Sequence, residues 1–215
     1  MTCKSVILAI PLLLAGCGVI GFGPGAQEEL ETRATGAAYR GLADTSVAIV
    51  VWAPLATLDE YAGAREEISA SVAAQMRGHL PTTRLVEPKE IIRWQGETLN
   101  WESLPAGDIG RHFKVDRVVL IQVLDYSTKR PLGVSNLQGR LRAQCKIYDT
   151  APAAGTALQP PVWTSFVDAA WPSGKPLDPT QINEAAVRQR TLDTFADVLV
   201  RYFYESRERA SSIRG

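Results

Sequence analysis

Two apolar runs limit the folds open to this chain more than any other feature of its sequence. Val47–Trp52 and Val118–Leu124 are rich in β-branched side chains and contain one polar residue, Gln122. Such runs are typical of strands that are buried on both faces of a sheet. Residues 58–80, which lie between the runs, place apolar side chains at helical spacing. They predict a helix that carries the chain from the first strand to the second.

The rest of the chain predicts further strands and a long final helix. Residues 138–149 alternate apolar and polar side chains, which indicates a strand with one buried face. The final helix is predicted to begin with Asp178 as its N-cap and Pro179 in its first turn. The other predicted elements are a short strand over 84–86, a helical turn from Pro88, a short helix over 108–113 and a strand over 161–171.

This order of elements predicts an α/β fold, a mixed sheet of about five strands covered by two long helices and short helices. We expect one domain over residues 46–206, because 215 residues are ordinary for a single domain. Lys and Arg together number 23, as do Asp and Glu, and no run of like charge forms a basic patch. This balance gives no support to a nucleic-acid partner.

The first 16 residues have the pattern of an export signal. Lys4 is the only charged residue before Glu28, and residues 6–14 form an apolar run interrupted once by Pro11. This run is too short to cross a bilayer, which takes ~20 apolar residues in a helix. Since the run ends in Leu13-Leu14-Ala15-Gly16-Cys17, it resembles the bacterial lipobox.

The lipobox resemblance implies that residues 1–16 are a signal peptide, removed after Gly16, and that Cys17 carries a diacylglyceryl group. Residues 17–45, which are rich in glycine at their start, are then expected to form a flexible tether, and residues 207–215 a polar tail. Gly18 follows the cysteine instead of the Asp that retains lipoproteins at the inner membrane of enteric bacteria. The resemblance therefore implies a periplasm-facing anchor in the outer membrane. An ordinary secretory signal with a chance cysteine is the alternative.

The third candidate thiol, Cys145, is expected to be a core residue. It lies on the apolar side of the predicted strand 138–149, together with Leu141, Ala143 and Ile147. A buried cysteine of this kind behaves as a small hydrophobic residue. With Cys3 in the signal peptide and Cys17 lipidated, no intramolecular disulfide is available.

The sequence contains no recognisable catalytic or metal-binding constellation. His79 and His112 are the only histidines, and each is expected to be a surface or capping residue. The acidic pairs Asp59-Glu60 and Glu66-Glu67 are adjacent in predicted helices, and adjacent helical residues do not face each other. We therefore expect no cofactor, no metal, no small-molecule substrate and no enzymatic activity.

Two pairs of residues are candidates for a partner-binding surface. Trp94 and Trp101 flank the polar loop 95–100, and tryptophan is favoured at the centres of interfaces. Lys129 and Arg130 lie in the loop 127–137. The alternative for the tryptophans is that both pack over the sheet as a small second core.

The layout of residues 46–204 resembles the periplasmic domain shared by the curli secretion lipoprotein CsgG, the penicillin-binding-protein activator LpoB and the N-terminal domain of TolB. The motif G-A-D-Y-hydrophobic of that family compares loosely with Lys114-Val115-Asp116-Arg117-Val118. A D-x-x-x-G turn compares with Asp149 and Gly155 across a longer loop. The resemblance implies an α/β domain that acts through a protein partner at the envelope.

These features predict a non-enzymatic accessory lipoprotein. It would be held at the membrane by the lipid on Cys17 and would bind a protein partner in envelope assembly, transport or wall synthesis. A component of an outer-membrane secretion channel is the first alternative, although the loop 127–137 is too short to cross a membrane and return. A hydrolase or small-ligand binder with no sequence signature is the second.

Overall fold

The computed structural model describes residues 32–129, 137–150, 160–174, 177, 180 and 182–209. Within them the chain forms seven strands and five α-helices. The strands are β1 (Thr32–Thr35), β2 (Ser46–Trp52), β3 (Arg84–Leu85), β4 (Arg117–Lys129), β5 (Leu137–Asp149), β6 (Trp163–Trp171) and β7 (Ser206–Arg209). The helices are α1 (Leu55–Glu60), α2 (Ala64–His79), α3 (Pro88–Glu97), α4 (Ala106–Phe113) and α5 (Glu184–Val200).

Five of the strands form one mixed sheet, in the order β3-β2-β4-β5-β6. β2 runs parallel to both of its neighbours, whereas β4, β5 and β6 form an antiparallel meander. The predicted α/β fold with a mixed sheet of about five strands is confirmed. The two apolar runs form β2 and most of β4, which are neighbours in the sheet: Val47 pairs with Arg117 and Val51 with Ile121.

The inner face of the sheet, which we define as the face toward α2 and α5, carries the main core. Alternate residues of each strand point into it, among them Ile49, Ile121 and Cys145, and Phe195 of α5 packs there without exposure to solvent. Close packing is tightest at Gly139 of β5, because a Cβ atom at that position would lie 1.8 Å from the Thr191 hydroxyl oxygen of α5. Glycine at this point therefore lets the long helix lie directly on the strand.

The outer face, on the opposite side, is covered by helices along only part of its width. Ala48, Val50 and Val118 point outward and pack with Ile91 of α3 and Ile109 of α4 in a second, smaller core. Tyr148 of β5 packs at the border of this core. The rest of the outward residues of β5 and β6 belong to neither core among the described residues.

The predicted helix over 58–80 is wrong, because the chain forms two helices there. Tyr61 ends α1 with a non-helical backbone (φ −129°, ψ 75°), and α2 begins at Ala64. The Tyr61 side chain is buried, and its hydroxyl lies 3.0 Å from the Thr128 hydroxyl at the end of β4. The helical spacing of apolar residues continues across Tyr61, so the spacing does not reveal the break. The break coincides with this tertiary contact of Tyr61.

The final helix begins later than predicted. Asn183 is its N-cap, and the Asn183 Oδ1 atom accepts a hydrogen bond from the backbone N–H of Ala186 at 2.8 Å. Asp178 and Pro179, the predicted start, lie outside the described residues. Asparagine caps a helix by the same chemistry as the aspartate that the sequence analysis had chosen.

The chain packs against the domain upstream of Ser46, within the segment predicted as a tether. Leu42 is fully buried in the main core, and the backbone N–H of Tyr39 donates to the Tyr202 carbonyl at 3.0 Å. β1 pairs with β7 in a separate two-stranded sheet. Both ends of the described chain therefore lie at the end of the sheet where β2 begins. We call this the proximal end, and the opposite end, where β4 finishes, the distal end.

Candidate functional site

The open part of the outer face is the candidate site, and strand alternation determines which side chains it displays. Because Leu141, Ala143 and Cys145 of β5 point into the main core, the residues between them, Arg142 and Gln144, point outward. On the neighbouring strand β6, Phe166 and Asp168 point outward for the same reason. We define the open outer face by the outward residues of β5 and β6 and by Leu124 of β4, listed together as Leu124, Arg140, Arg142, Gln144, Lys146, Phe166 and Asp168.

Large apolar side chains stand in solvent on this face. Phe166 is 65% exposed and Leu124 is 49% exposed. Leu124 lies at an irregularity in the pairing of β4 with β5, between Val123 and Asp125. An extra residue of this kind is left without a partner across the ladder and can redirect its side chain. The two side chains lie on the same face of the sheet, on strands separated by β5. Exposed apolar surface is a feature of interaction sites.

Charged side chains surround these apolar groups and are paired with one another. The Arg140 guanidinium donates to both carboxylate oxygens of Asp168, with a distance of 3.0 Å from Nε to Oδ1. Arg142 Nε lies 3.6 Å from the same carboxylate. The hydrogen bond from Arg140 lowers the pKa of Asp168, so this carboxylate is ionised at neutral pH. The pairing fixes the side chains in place on an otherwise solvated strand face.

A groove lies where the open outer face meets the second core. Its cavity volume is about 600 Å³, within the range of ligand sites in proteins. Asn100 adopts a left-handed conformation (φ 54°), and the 3₁₀ turn Trp101–Ser103 follows it. The residues that line the groove come from this turn, α4, β2, β4 and β5: Trp52, Trp101, Glu102, Ser103, Leu104, Pro105, Ala106, Ile109, Leu120, Gln122 and Tyr148.

The two tryptophans of the predicted partner surface pack together beside this groove. Trp101 is buried in the second core, and Trp94 is half-buried against it, with a distance of 6.3 Å between ring centroids. The alternative interpretation, a small second core, therefore describes their packing. Trp101 also lines the groove, whereas Trp94 does not. Their contact with a partner stays a prediction.

Of the remaining predicted site residues, two lie outside the described residues, and one, Lys129, is the last described residue before a gap. Lys129 ends β4, but its side chain is not described, and Arg130 and Cys17 lie outside the described residues. The basic pair at 129–130 and the lipidation site therefore stay predictions. The structure instead places the described basic groups of the open outer face on β5, at Arg140, Arg142 and Lys146.

A polar cluster at the distal end was not predicted from the sequence. The Thr128 hydroxyl donates to Glu184 Oε1 at 2.6 Å, and the Tyr61 hydroxyl lies 3.0 Å from the same Thr128 oxygen. Arg188 of α5 pairs with Glu67 of α2 at 2.6 Å, and its guanidinium lies 5.2 Å from the centre of the Tyr61 ring. These contacts join α2, α5 and the end of β4, so we assign the cluster to stability.

Cys145 is buried and free, as predicted. Burial raises the pKa of its thiol to about 12. A thiol with so high a pKa forms little thiolate at neutral pH, and the thiolate is the reactive form. Cys145 is therefore an inert core residue.

The described part of the chain shows neither a metal-binding cluster nor a membrane-crossing helix. No group of three or more His, Cys, Asp or Glu side chains within it could hold a metal ion. No helix within it is long and apolar enough to span a membrane. His79 stacks on Tyr204 with 4.1 Å between ring centroids, and His112 lies against Trp94 and Phe113.

No family model and no curated protein matches this chain. Solved structures with partial similarity include the PelC dodecamer from Paraburkholderia phytofirmans, at 13% identity over 81% of this chain and 98% of that chain, with a TM-score of 0.46. Lipoprotein GNA1162 from Neisseria meningitidis matches at 11% identity over 72% and 97%, with a TM-score of 0.45. A minor lipoprotein from Acinetobacter baumannii matches at 12% identity over 78% and 99%, with a TM-score of 0.39.

Two of these three proteins are named as lipoproteins, and none of the three names states an enzymatic activity. Identities and TM-scores this low assign neither a family nor a function.

Proposed function

We propose that this protein is a non-enzymatic, lipid-anchored protein of the outer membrane that binds a protein partner through its open outer face. The observation that carries the proposal is the exposure of Phe166 and Leu124 on a strand face that no described helix covers. Burying a large apolar side chain contributes about 1.5–3 kcal/mol. A partner that covered both side chains would therefore gain substantially from this face alone.

The paired charges on the same face favour a specific partner. Arg140 and Asp168 are already held by each other, so little side-chain freedom is lost when a partner covers them. An apolar centre surrounded by polar groups is the usual composition of a non-obligate interface. The open outer face therefore suits a partner that associates with an independently folded domain.

The lipid anchor is supported by the lipobox sequence that ends at Cys17. Both ends of the described chain lie at the proximal end of the sheet, with Arg40 paired to Glu205 at 2.6 Å. A lipid on Cys17 would therefore hold the domain with its proximal end toward the membrane. The distal end would point away from the membrane, and the open outer face would lie between the two ends, within reach of a partner.

The anchor and the partner surface can be tested separately. Intact-mass analysis of protein extracted from membranes should show the loss of residues 1–16 and a lipid adduct on Cys17. Cleavage at another site with an unmodified cysteine would contradict the anchor.

The partner surface is tested by replacing the exposed aromatic side chain of Phe166 with a charged one. Phe166→Asp should abolish co-purification of the partner from detergent-solubilised envelope, because it places a carboxylate in the apolar centre of the interface. Leu55→Asp is the matched control, since Leu55 is 74% exposed at the first turn of α1 and is not among the residues that define the open outer face. Both variants should keep the melting temperature of the natural protein. Equal loss of the partner in the two variants, or loss in neither, would contradict the proposal.

A further inference from the structure

We infer that the groove beside the open outer face binds an extended, proline-containing segment of the partner that carries a basic side chain. This inference rests on the proposed function and names the chemistry of one part of the interface. It follows from three properties of the groove: its aromatic and apolar walls, its hydrogen-bond donors and its single charge.

The walls of the groove suit the flat pyrrolidine rings of proline. Trp52 and Tyr148 contribute aromatic surface, to which Trp101, only 5% exposed, adds little. Leu104 and Leu120 contribute aliphatic surface. Proteins that bind proline-rich segments receive them in aromatic-lined grooves of this kind. A polyproline helix is already extended before it binds, so little conformational freedom is lost on binding.

The polar atoms of the groove include several that can donate hydrogen bonds. Among the described residues, neither the Trp52 indole N–H nor the Tyr148 hydroxyl has a hydrogen-bond partner. Burial raises the pKa of Tyr148, so its hydroxyl is protonated at neutral pH. Lys146 donates to Gln122 Oε1 at 2.9 Å, which leaves the Gln122 amide N–H groups to donate. A polyproline helix has no internal hydrogen bonds, and its carbonyl groups accept such donors.

The charge of the groove indicates the sign of the ligand. Glu102 is the single charged residue among the described residues that line it, and the Lys146 ammonium adjoins the groove through its hydrogen bond to Gln122. The complementarity therefore concerns the part of the groove beside Glu102. A lone carboxylate beside an apolar groove attracts a cationic side chain, and an arginine guanidinium can pair with it through two hydrogen bonds. Charge complementarity therefore favours a basic residue next to the prolines.

The position of the groove connects it to the proposed interface. Gln122, which lines the groove, pairs with Gln144 on β5, and Gln144 pairs with Phe166 on β6. The three side chains form one row across the sheet, from the groove to the exposed phenylalanine. An extended segment in the groove could thus belong to the same partner that covers Phe166.

A carbohydrate is the other ligand class that stacks on aromatic rings, and the groove favours it less. Five of the lining residues are Leu104, Pro105, Ala106, Ile109 and Leu120, which offer no side-chain hydrogen bond to a hydroxyl group. A sugar would leave many of its hydroxyl groups against these apolar walls without partners, which is costly. We therefore test a carbohydrate as an outcome that would overturn the inference.

The experiment measures binding of a labelled peptide to the detergent-solubilised mature protein by fluorescence anisotropy. The probe has six prolines around a central arginine, and matched probes carry glutamine at the centre or glycine and serine in place of the prolines. Leu104→Asp places a charge in the groove, and Leu99→Asp is its control, because Leu99 is 91% exposed and does not line the groove. Glu102→Gln removes the single charge.

We expect the arginine probe to bind with a dissociation constant below about 1 mM. Leu104→Asp should weaken it at least about tenfold and Leu99→Asp should leave it unchanged. Glu102→Gln should weaken it about threefold, the size expected for an exposed ion pair. In that variant the arginine and glutamine probes should bind equally, because the group that distinguishes them is gone.

Four results would overturn the inference: no binding below about 1 mM, equal binding of the glycine–serine probe, equal effects of the two leucine substitutions, or displacement of the peptide by a chitin trisaccharide. The proposal that the open outer face binds a partner is tested by a different result, the loss of the partner in Phe166→Asp. If the peptide does not bind but Phe166→Asp still loses its partner, only the groove inference is wrong. If the peptide binds but Phe166→Asp retains its partner, the outer-face proposal is wrong.

Discussion

The contact between Gly139 and Thr191 makes a sharp prediction about how α5 lies on the sheet. In Gly139→Ala the new methyl group would be placed 1.8 Å from the Thr191 hydroxyl oxygen and 2.9 Å from the Thr191 Cβ atom. The hydroxyl can move only by rotating away from the Val187 carbonyl, to which it donates at 2.8 Å. The Cβ atom cannot rotate away, so the helix must shift outward by a few tenths of an ångström.

The two effects have comparable magnitudes. Loss of the hydrogen bond of Thr191, which is fully buried, costs about 1 kcal/mol. Overpacking of a core by one methyl group costs about 1–3 kcal/mol. We therefore expect Gly139→Ala to lower the free energy of unfolding by about 2–3 kcal/mol. In a domain of this size that corresponds to a fall in melting temperature of about 4–12 °C.

The assay is thermal and urea unfolding of Gly139→Ala, Thr191→Ala and the double variant. Thr191→Ala removes the hydroxyl but keeps the Cβ atom, so the double variant should be more stable than the sum of the single effects predicts, by about 1 kcal/mol. Gly96→Ala is the matched control, because Gly96 lies in α3 with no atom within 4 Å of the position of a Cβ. It should raise stability by about 0.5–1 kcal/mol. If Gly139→Ala is neutral, or behaves like the control, α5 does not lie on β5 as described.

Three other predictions concern the core, the distal cluster and acid stability. Cys145 should resist alkylation until the chain unfolds, and Cys145→Ser should destabilise the domain by about 1–3 kcal/mol; rapid native labelling would contradict its burial. Arg188→Met should lower the free energy of unfolding by about 1–2 kcal/mol, because it leaves Glu67 half-buried and unpaired, and Glu67→Gln in the same chain should restore part of the loss. Since the Arg140 hydrogen bond holds the pKa of Asp168 below its ordinary 3.8, the stability from this pair should be present above about pH 3.8 and lost as the pH falls through the folded pKa. Asp168→Asn should therefore lower the melting temperature at pH 7, and its effect should shrink as the pH falls below 3.8; an effect that does not change with pH would refute the ion-pair account.

Local periodicity predicted the strands of the sheet well. A strand buried on both faces is apolar throughout, and a strand buried on one face alternates apolar and polar residues. The run at Val47–Trp52 became strand β2, which lies between β3 and β4 and has buried residues on both faces. The alternation of 138–149 predicted which side of β5 is buried, and the structure places Leu141, Ala143 and Cys145 on that side. Both patterns depend only on residues that are neighbours in the chain.

Features that depend on distant contacts were not predictable in this way. The break at Tyr61 interrupts a segment with continuous helical spacing, and its hydroxyl contacts Thr128, far along the chain. Leu42 is buried in an irregular segment, where no periodicity marks it. Lys114 ends α4 in the left-handed conformation that favours glycine (φ 54°). The sequence alone gave no reason to expect that conformation at a lysine.

The candidate site was predictable only in part, for the same reason. Polar residues alternate along β5, so an outward, solvated side of that strand was implied. How far the helices cover this side depends on where α3 and α4 pack, which is a property of the whole fold. Phe166 therefore gave no signal in the sequence, and its exposure became visible only in the structure.

Site-specific photo-cross-linking in intact cells tests the central claim most directly. A photoreactive phenylalanine analogue at position 166 lies on the open outer face, and the same analogue at position 55 is equally accessible on α1. The account predicts a discrete protein adduct from position 166, none from position 55, and a weaker adduct when Cys17→Ser prevents anchoring and lowers the local concentration. Equal adducts from both positions, or an adduct from position 55 alone, would contradict it.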